Sequence, residues 1–478
     1  VSSATRLPPG APPPADPGDS APAPADRSFA SGARILSIGI ASTGIFTFAY
    51  LATASHVLSG KAYSMISLCW AIMFVILSVI YRPIEQLLSR TIADRQARGY
   101  ARQSLRVPAA IQFSFATLFL IAALSLRHQI QYGMFNGSAA LYWILVIGVL
   151  AYAASYFARG WLAGNKRFAL YGGLVFLEAT SRFLFALAVA VGIGTGQNVV
   201  GLGMAVAPFV SLSVIPFAFS RIRSSSPAAS AAPVADAAGE GPAHAQLQEA
   251  TEDLSLGGGA EFAVAVVAIM LSEQALMNAG VLITAAHQAS GATLTAGLVG
   301  FVFNVMLICR APLQLFQAIQ TSILPHLAGL EARESAAEFH RAIRTTVVVI
   351  VAFGLAVALG LLAIGPAVMT AVLGNKGFSY GRVGLALVGL GMGLHLVSGT
   401  FNQAALARGR ARWAAACWLT AAALFVAFVA TGGGSDSAQV MRVEVGYFGA
   451  TAVLCALLWQ LYRRGTAQSA PTTPAIRA

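Results

Sequence analysis

Twelve long apolar runs, with every second gap between them basic, leave this chain few ways to fold. Their approximate limits are 35–58, 64–83, 108–126, 139–158, 169–193, 199–220, 259–285, 292–322, 345–372, 382–405, 412–431 and 441–462. Each is long enough to cross ~30 Å of hydrocarbon at about 1.5 Å per helical residue. Only 10% of the residues are charged and 57% are hydrophobic, whereas a soluble domain carries about a quarter charged. Charge is costly in lipid, so this scarcity predicts an all-α, polytopic membrane protein of about twelve transmembrane helices.

The formal net charge of +12 could point to nucleic acid. The basic residues instead alternate with apolar spans and form no single stripe, which excludes that partner. If both termini are cytoplasmic, 23 of the 30 basic residues fall in inner segments. Five fall outside (Lys61, Arg127, Lys376, Arg382, Arg442) and two within spans (Arg182, Arg310). That asymmetry fixes the orientation, with both termini inside. Only three of the basic residues are lysine, and alanine and glycine abound, as in a GC-rich bacterial gene. The expected location is a bacterial cytoplasmic membrane.

Landmarks recur. Arg82-Pro83-Ile84-Glu85-Gln86 closes the second span, and Arg310-Ala311-Pro312-Leu313-Gln314 follows 228 positions later. Phe157–Ala163 ends the fourth span and Phe401–Ala407 the tenth, each followed by a basic cluster. The repeats predict two parallel six-helix lobes, 34–220 and 259–465, related by an axis along the membrane normal. The Ala/Pro/Ser-rich segment 221–258 reads as a flexible cytoplasmic linker. Residues 1–33 read as a disordered cytoplasmic tail and 466–478 as a second tail. The apolar run begins only after Arg34, so the N-terminal segment does not read as a signal peptide. The four cysteines lie inside spans and read as small core residues, with no metal or disulfide spacing.

Polar residues inside spans are the candidate site. Glu178 and Arg182 are four apart on the fifth span, so they share a face. Arg182 lies about 13 residues from the inner end, near the midplane. The pair either locks its helix to a neighbour or forms a cationic cavity in which Glu178 tunes the arginine. Glu273, with Gln274 and Asn278, sits in the seventh span. It is either a hydrogen-bonded buried acid or a proton or sodium carrier. His395 in the tenth span is either structural or a gating and proton-sensing group. Arg82 and Arg310 either snorkel to headgroups or contact phosphate at the cavity mouth. The adjacent prolines can kink both helices.

No Gly-rich loop ends in Gly-Lys-Ser or Gly-Lys-Thr, so no P-loop ATPase is expected in the chain. The first outer gap, His56–Ser64, holds no acid, which argues against a membrane glycosyltransferase. No enzyme activity, cofactor or metal is expected.

Arg159-Gly160-Trp161-Leu162-Ala163-Gly164-Asn165-Lys166-Arg167-Phe168, then Glu178 and Arg182, resemble the polysaccharide flippases of the O-antigen and teichoic type. So does Arg310-Ala311-Pro312-Leu313-Gln314-Leu315-Phe316-Gln317-Ala318 leading to Leu324-Pro325. That family belongs to the multidrug/oligosaccharidyl-lipid/polysaccharide exporter superfamily. The resemblance covers roughly residues 34–465. It implies alternating access between two lobes and a polyprenyl-pyrophosphate-linked glycan as cargo. It maps the cavity arginine onto Arg182, with few other cavity cations, so a monophosphate lipid also fits. Partners it implies are membrane lipids and envelope glycosyltransferases or a polymerase. The alternatives are a proton- or sodium-coupled multidrug extruder of the same superfamily and a non-transporting membrane scaffold.

Overall fold

A computed structural model describes residues 24–97, 105–216, 256–310, 312–313, 336–432 and 434–468. Every regular element among the described residues is helical. In the first half these are α1 (Pro24–Val57), α2 (Gly60–Ile76), α3 (Arg82–Ala97), α4 (Arg106–Ser125), α5 (Ala139–Gly164), α6 (Phe168–Ala190) and α7 (Gly196–Leu212). In the second half they are α8 (Leu256–Ala289), α9 (Leu298–Arg310), α10 (Ala336–Leu373), α11 (Arg382–Ala407), α12 (Ala411–Ala430) and α13 (Asp436–Gln468). Each of the twelve apolar runs coincides with one helix, the second run with α2 and its continuation. The spans are helical because lipid offers the backbone no hydrogen-bond partner, so each segment must satisfy its own. The expected N-terminal tail lies outside the described residues up to residue 23, and α1 already begins at Pro24. The linker 221–258 lies almost wholly outside them, as does the chain beyond Gln468.

Arg82-Pro83 does not close its helix. A π-helical turn, Leu77–Tyr81, joins α2 to α3, and the Arg82 N–H bonds the Leu77 carbonyl five residues back. Pro83 has no N–H to donate and its ring crowds the preceding turn. Widening that turn lets the rod continue to Ala97. In the second half, the described part of α9 is Leu298–Arg310, and Pro312 and Leu313 are helical too; of the expected span 292–322, residues 292–297 are not helical and 314–322 lie outside the described residues. The fourth span, expected to end at 158, runs on to Gly164.

The two halves repeat each other in packing. In the first, α1 packs on α6, α6 on α7, α5 on α7 and α4 on α5. In the second, the corresponding α8 packs on α12, α12 on α13, α11 on α13 and α10 on α11. Burial repeats as well. It is 17% for the apolar windows of both α4 and α10, 67% for α5 and α11, and 39% for α6 and α12. Helices α4 and α10 are thus the outermost staves of their lobes, and α5 and α11 the central ones.

The helix ends repeat in detail. After α5, Arg167 N–H bonds Leu162 O at 2.8 Å and Lys166 N–H bonds Ala163 O at 3.0 Å. After α11, Arg410 N–H bonds Ala405 O at 2.9 Å and Gly409 N–H bonds Leu406 O at 3.1 Å. These are two copies of one Schellman cap, with Lys166 and Gly409 at φ 56° and 68°. The register they define sets Ala163 against Leu406, one step from the Ala163–Ala407 match that residue likeness suggests. Backbone bonds, not residue likeness, set where a helix stops.

Candidate functional site

The site is a cavity of about 370 Å³ between the lobes. The first lobe supplies most of its wall, from α1, α2, α3, α5 and α6, and the second supplies α8 and α9. Four arginines (82, 159, 182, 310) and three glutamates (85, 178, 273) line it. Gln86 at one end is exposed. At the other end the wall on α1 stops at Leu51, a turn short of the fully buried Ser55.

Glu178 and Arg182 share the inner face of α6, as their spacing predicts. Arg182 donates Nη2 to Glu178 Oε1 at 3.0 Å. The other carboxylate oxygen accepts from Arg159 Nη2 on α5 and, at 3.3 Å, from Ser155 Oγ. One carboxylate therefore holds two guanidinium groups. All three side chains are at least nine-tenths buried. The arginines are also shelved on aromatic rings. The Arg182 Cζ lies 4.9 Å from the Trp70 centroid, and Trp70 stacks on Phe74 at 4.4 Å. The Arg159 Cζ lies 4.5 Å from the Tyr156 ring. Such contacts stabilise a desolvated cation by about 2 kcal/mol.

The Nη2 edges face Glu178, and the Nε atoms of both arginines have no hydrogen-bond partner. Nor does the hydroxyl of Tyr152, which is 1% exposed and lines the same wall. Tyr152, Tyr156 and Arg159 lie at i, i+4 and i+7, one stripe of α5. Three buried groups with unmet donors line one chamber and favour a ligand rich in acceptors.

Arg159 is not a site residue on sequence, where the span ends at residue 158 and Arg159 falls in a cytoplasmic gap. The Tyr152/Tyr156 stripe continuing through it is the available signal. Its position depends on glycine: a Cβ on Gly160 would come within 2.8 Å of the Glu85 carbonyl oxygen. That close approach sets α3 against α5. It also brings Glu85, another residue missed, to the cavity, where it accepts from Tyr171 Oη at 2.6 Å. The expectation of few further cavity cations is corrected, since Arg82, Arg159 and Arg310 join Arg182. Tertiary packing collects them from four helices.

Across the cavity, Arg310 donates to Asn278 Oδ1 at 2.6 Å and to the Met277 carbonyl at 3.2 Å. Asn278 in turn donates to the carbonyl and side chain of Gln274, both at 3.1 Å. Arg310 thus does not snorkel; it is docked on α8, its guanidinium 4.8 Å from Phe303. Its Nε has no hydrogen-bond partner. Glu273 lines the same wall, and Arg82 lines the opposite one.

His395 stands apart. It is buried inside the second lobe, with Nδ1 3.2 Å from Tyr447 Oη and its ring 5.3 Å from Trp418, and it does not line the cavity. In the register of the two caps, His395 occupies the place of Tyr152. Among the described residues no cluster of His, Cys, Asp and Glu could hold a metal ion.

No family model matches the sequence, and no curated protein matches it. Solved structures do. A point mutant of the Vibrio cholerae MATE transporter VcmN matches at 15% identity and TM-score 0.57, over 92% of this chain and 98% of that one. An inward-facing multidrug resistance MATE family transporter of the MOP superfamily matches at 11% and 0.60, over 93% and 96%. The lipid II flippase MurJ, in an inward closed conformation, matches at 11% and 0.53, over 90% and 87%. The fold is that shared by these MATE transporters and MurJ.

Proposed function

We propose that the protein is a flippase that carries a polyprenyl-(pyro)phosphate-linked envelope glycan from the inner to the outer leaflet by alternating access. The observation that carries this reading is the cluster of Arg159, Arg182 and Tyr152. These three residues line one chamber and carry buried donors without a partner, with Arg310 on the facing lobe. Two guanidiniums against one carboxylate leave a positive balance beside donors that a phosphate oxygen can accept from. In the orientation given by the basic residues, the exposed end of the cavity is cytoplasmic and the end near Ser55 faces outward. The headgroup then enters from the cytoplasmic side and binds between the lobes, while the lipid tail stays in the membrane.

The chain has no recognisable nucleotide loop, so the free energy comes from an ion gradient, the membrane potential or removal of product. A charged cavity that alternates between faces responds to voltage at about 2.3 kcal/mol per charge per 100 mV. Glu273, across the cavity from the arginine pair, is the candidate ion carrier, with Asn278 and His395 as further candidates.

A second reading is a cation-coupled multidrug extruder. Its support is the aromatic wall of Trp70, Phe74, Tyr152 and Tyr156 with three glutamates, a lining that also suits an organic cation. Reconstituted proteoliposomes separate the two. Flipping of a fluorescent polyprenyl-pyrophosphate glycan, lost in Arg182→Ala at normal protein level, supports the first. Efflux of a dye cation that survives Arg182→Ala but fails in Glu178→Gln or Glu273→Gln supports the second.

A further inference from the structure

The end of the cavity near Ser55 is closed by a joint between the lobes in which a buried polar cluster and close-set glycines are embedded in the apolar core the lobes share. Its hub is Asn304 on α9, fully buried. Asn304 Oδ1 accepts from Tyr63 Oη on α2 at 2.6 Å. Its Nδ2 lies 3.4 Å from both Ser55 Oγ on α1 and Tyr380 Oη between α10 and α11. One side chain thus ties two helices of the first lobe to the second. Around it, Gly300 N–H bonds Ser64 Oγ at 2.9 Å, and Ser55 Oγ donates to the Leu373 carbonyl. Lys376 Nζ donates to the Leu58 carbonyl at 2.5 Å.

The backbones of Gly60 and Gly297 meet directly, and Gly300 lies against the Tyr63 ring. A Cβ on Gly60 would lie 3.4 Å from the Gly297 Cα, and one on Gly300 would lie 2.7 Å from the Tyr63 ring.

Such a joint suits repeated opening. Burying apolar surface gives little association between helices in lipid, so close backbone packing and hydrogen bonds hold the lobes here. If water enters, each bond is exchanged for one to water at small net cost. An apolar joint would expose oily surface instead. We propose that Asn304, with Tyr63, Ser55 and Tyr380, is the latch of the outward gate, and that breaking it opens the cavity on the side now closed. This rests on the reading of the chain as an alternating transporter, but not on the cargo.

The test uses the full chain in nanodiscs without substrate. Nitroxides are placed on Lys61→Cys and Thr293→Cys, both exposed at this end and on opposite lobes, after the native cysteines are replaced. Pulsed electron–electron resonance reads the distance between them. The unmodified latch gives one short, narrow distribution. Asn304→Leu, of the same branched shape but bulkier and unable to bond, shifts population to longer distances. Tyr63→Phe, which removes one hydroxyl and keeps the ring, raises the open-to-closed ratio roughly two- to tenfold. Distances unchanged in both folded variants overturn the latch. If Asn304→Leu fails to fold, Tyr63→Phe alone decides. A latch that opens while no lipid-linked glycan is flipped overturns only the cargo.

Discussion

Glu178→Gln is the sharpest perturbation of the site. In the folded protein one carboxylate serves two buried guanidiniums, through Arg159 on α5 and Arg182 on α6. Gln keeps the shape and one acceptor but removes the charge. Two cations then face each other behind nine-tenths burial with no counter-ion between them. Breaking a buried ion pair this way costs about 3–5 kcal/mol. Removing one arginine costs less, about 1.5–3 kcal/mol, because Glu178 keeps the other as partner. The order of destabilisation is therefore Glu178→Gln above Arg182→Ala. The same argument predicts rescue: a bound anion replaces the lost carboxylate, so pyrophosphate raises the melting temperature of Glu178→Gln more than that of the wild type. Thermal unfolding in detergent with and without pyrophosphate measures both. A Glu178→Gln protein that melts like the wild type and ignores pyrophosphate would refute the shared counter-ion and the anion-binding character of the chamber together.

Arg182→Ala is expected to lower flipping about ten- to hundredfold in proteoliposomes, the loss of one charged hydrogen-bond donor of about 1.5–3 kcal/mol. Flipping is normalised to folded protein, since this variant is also less stable; a loss of activity no larger than the loss of folded protein would mark the arginine as structural. Glu273→Gln should abolish the response to an imposed pH gradient while substrate still binds, and an unchanged response removes Glu273 from coupling. Gly160→Ala should destabilise by about 1–3 kcal/mol, since its Cβ meets the Glu85 carbonyl oxygen at 2.8 Å; a neutral melting temperature would mean that α3 shifts freely on α5. Impermeant thiol labelling from outside should reach cysteines placed at Gly196 and Gly434 but not at Arg98 or Ala232; strong outside labelling at Ala232 would overturn the orientation.

The sequence by itself determined the number and order of the helices and the internal duplication. Those features are one-dimensional: span length, hydropathy and charge alternation follow from what a bilayer tolerates at each depth. It also showed the Glu178–Arg182 pair, because four residues on one helix are neighbours whatever surrounds them. Only the tertiary structure decided the rest. Arg159 joined Glu178 from another helix, since two apolar spans do not show on sequence which faces meet. His395 and Glu273 read alike as midplane polar residues. Packing buried one within its lobe and set the other on the cavity wall. Asn304 is the one side-chain amide within Leu298–Arg310, yet it ties the two lobes. Its role depends on Tyr63, 241 positions away, and a contact at that range exists only once the lobes have closed on each other.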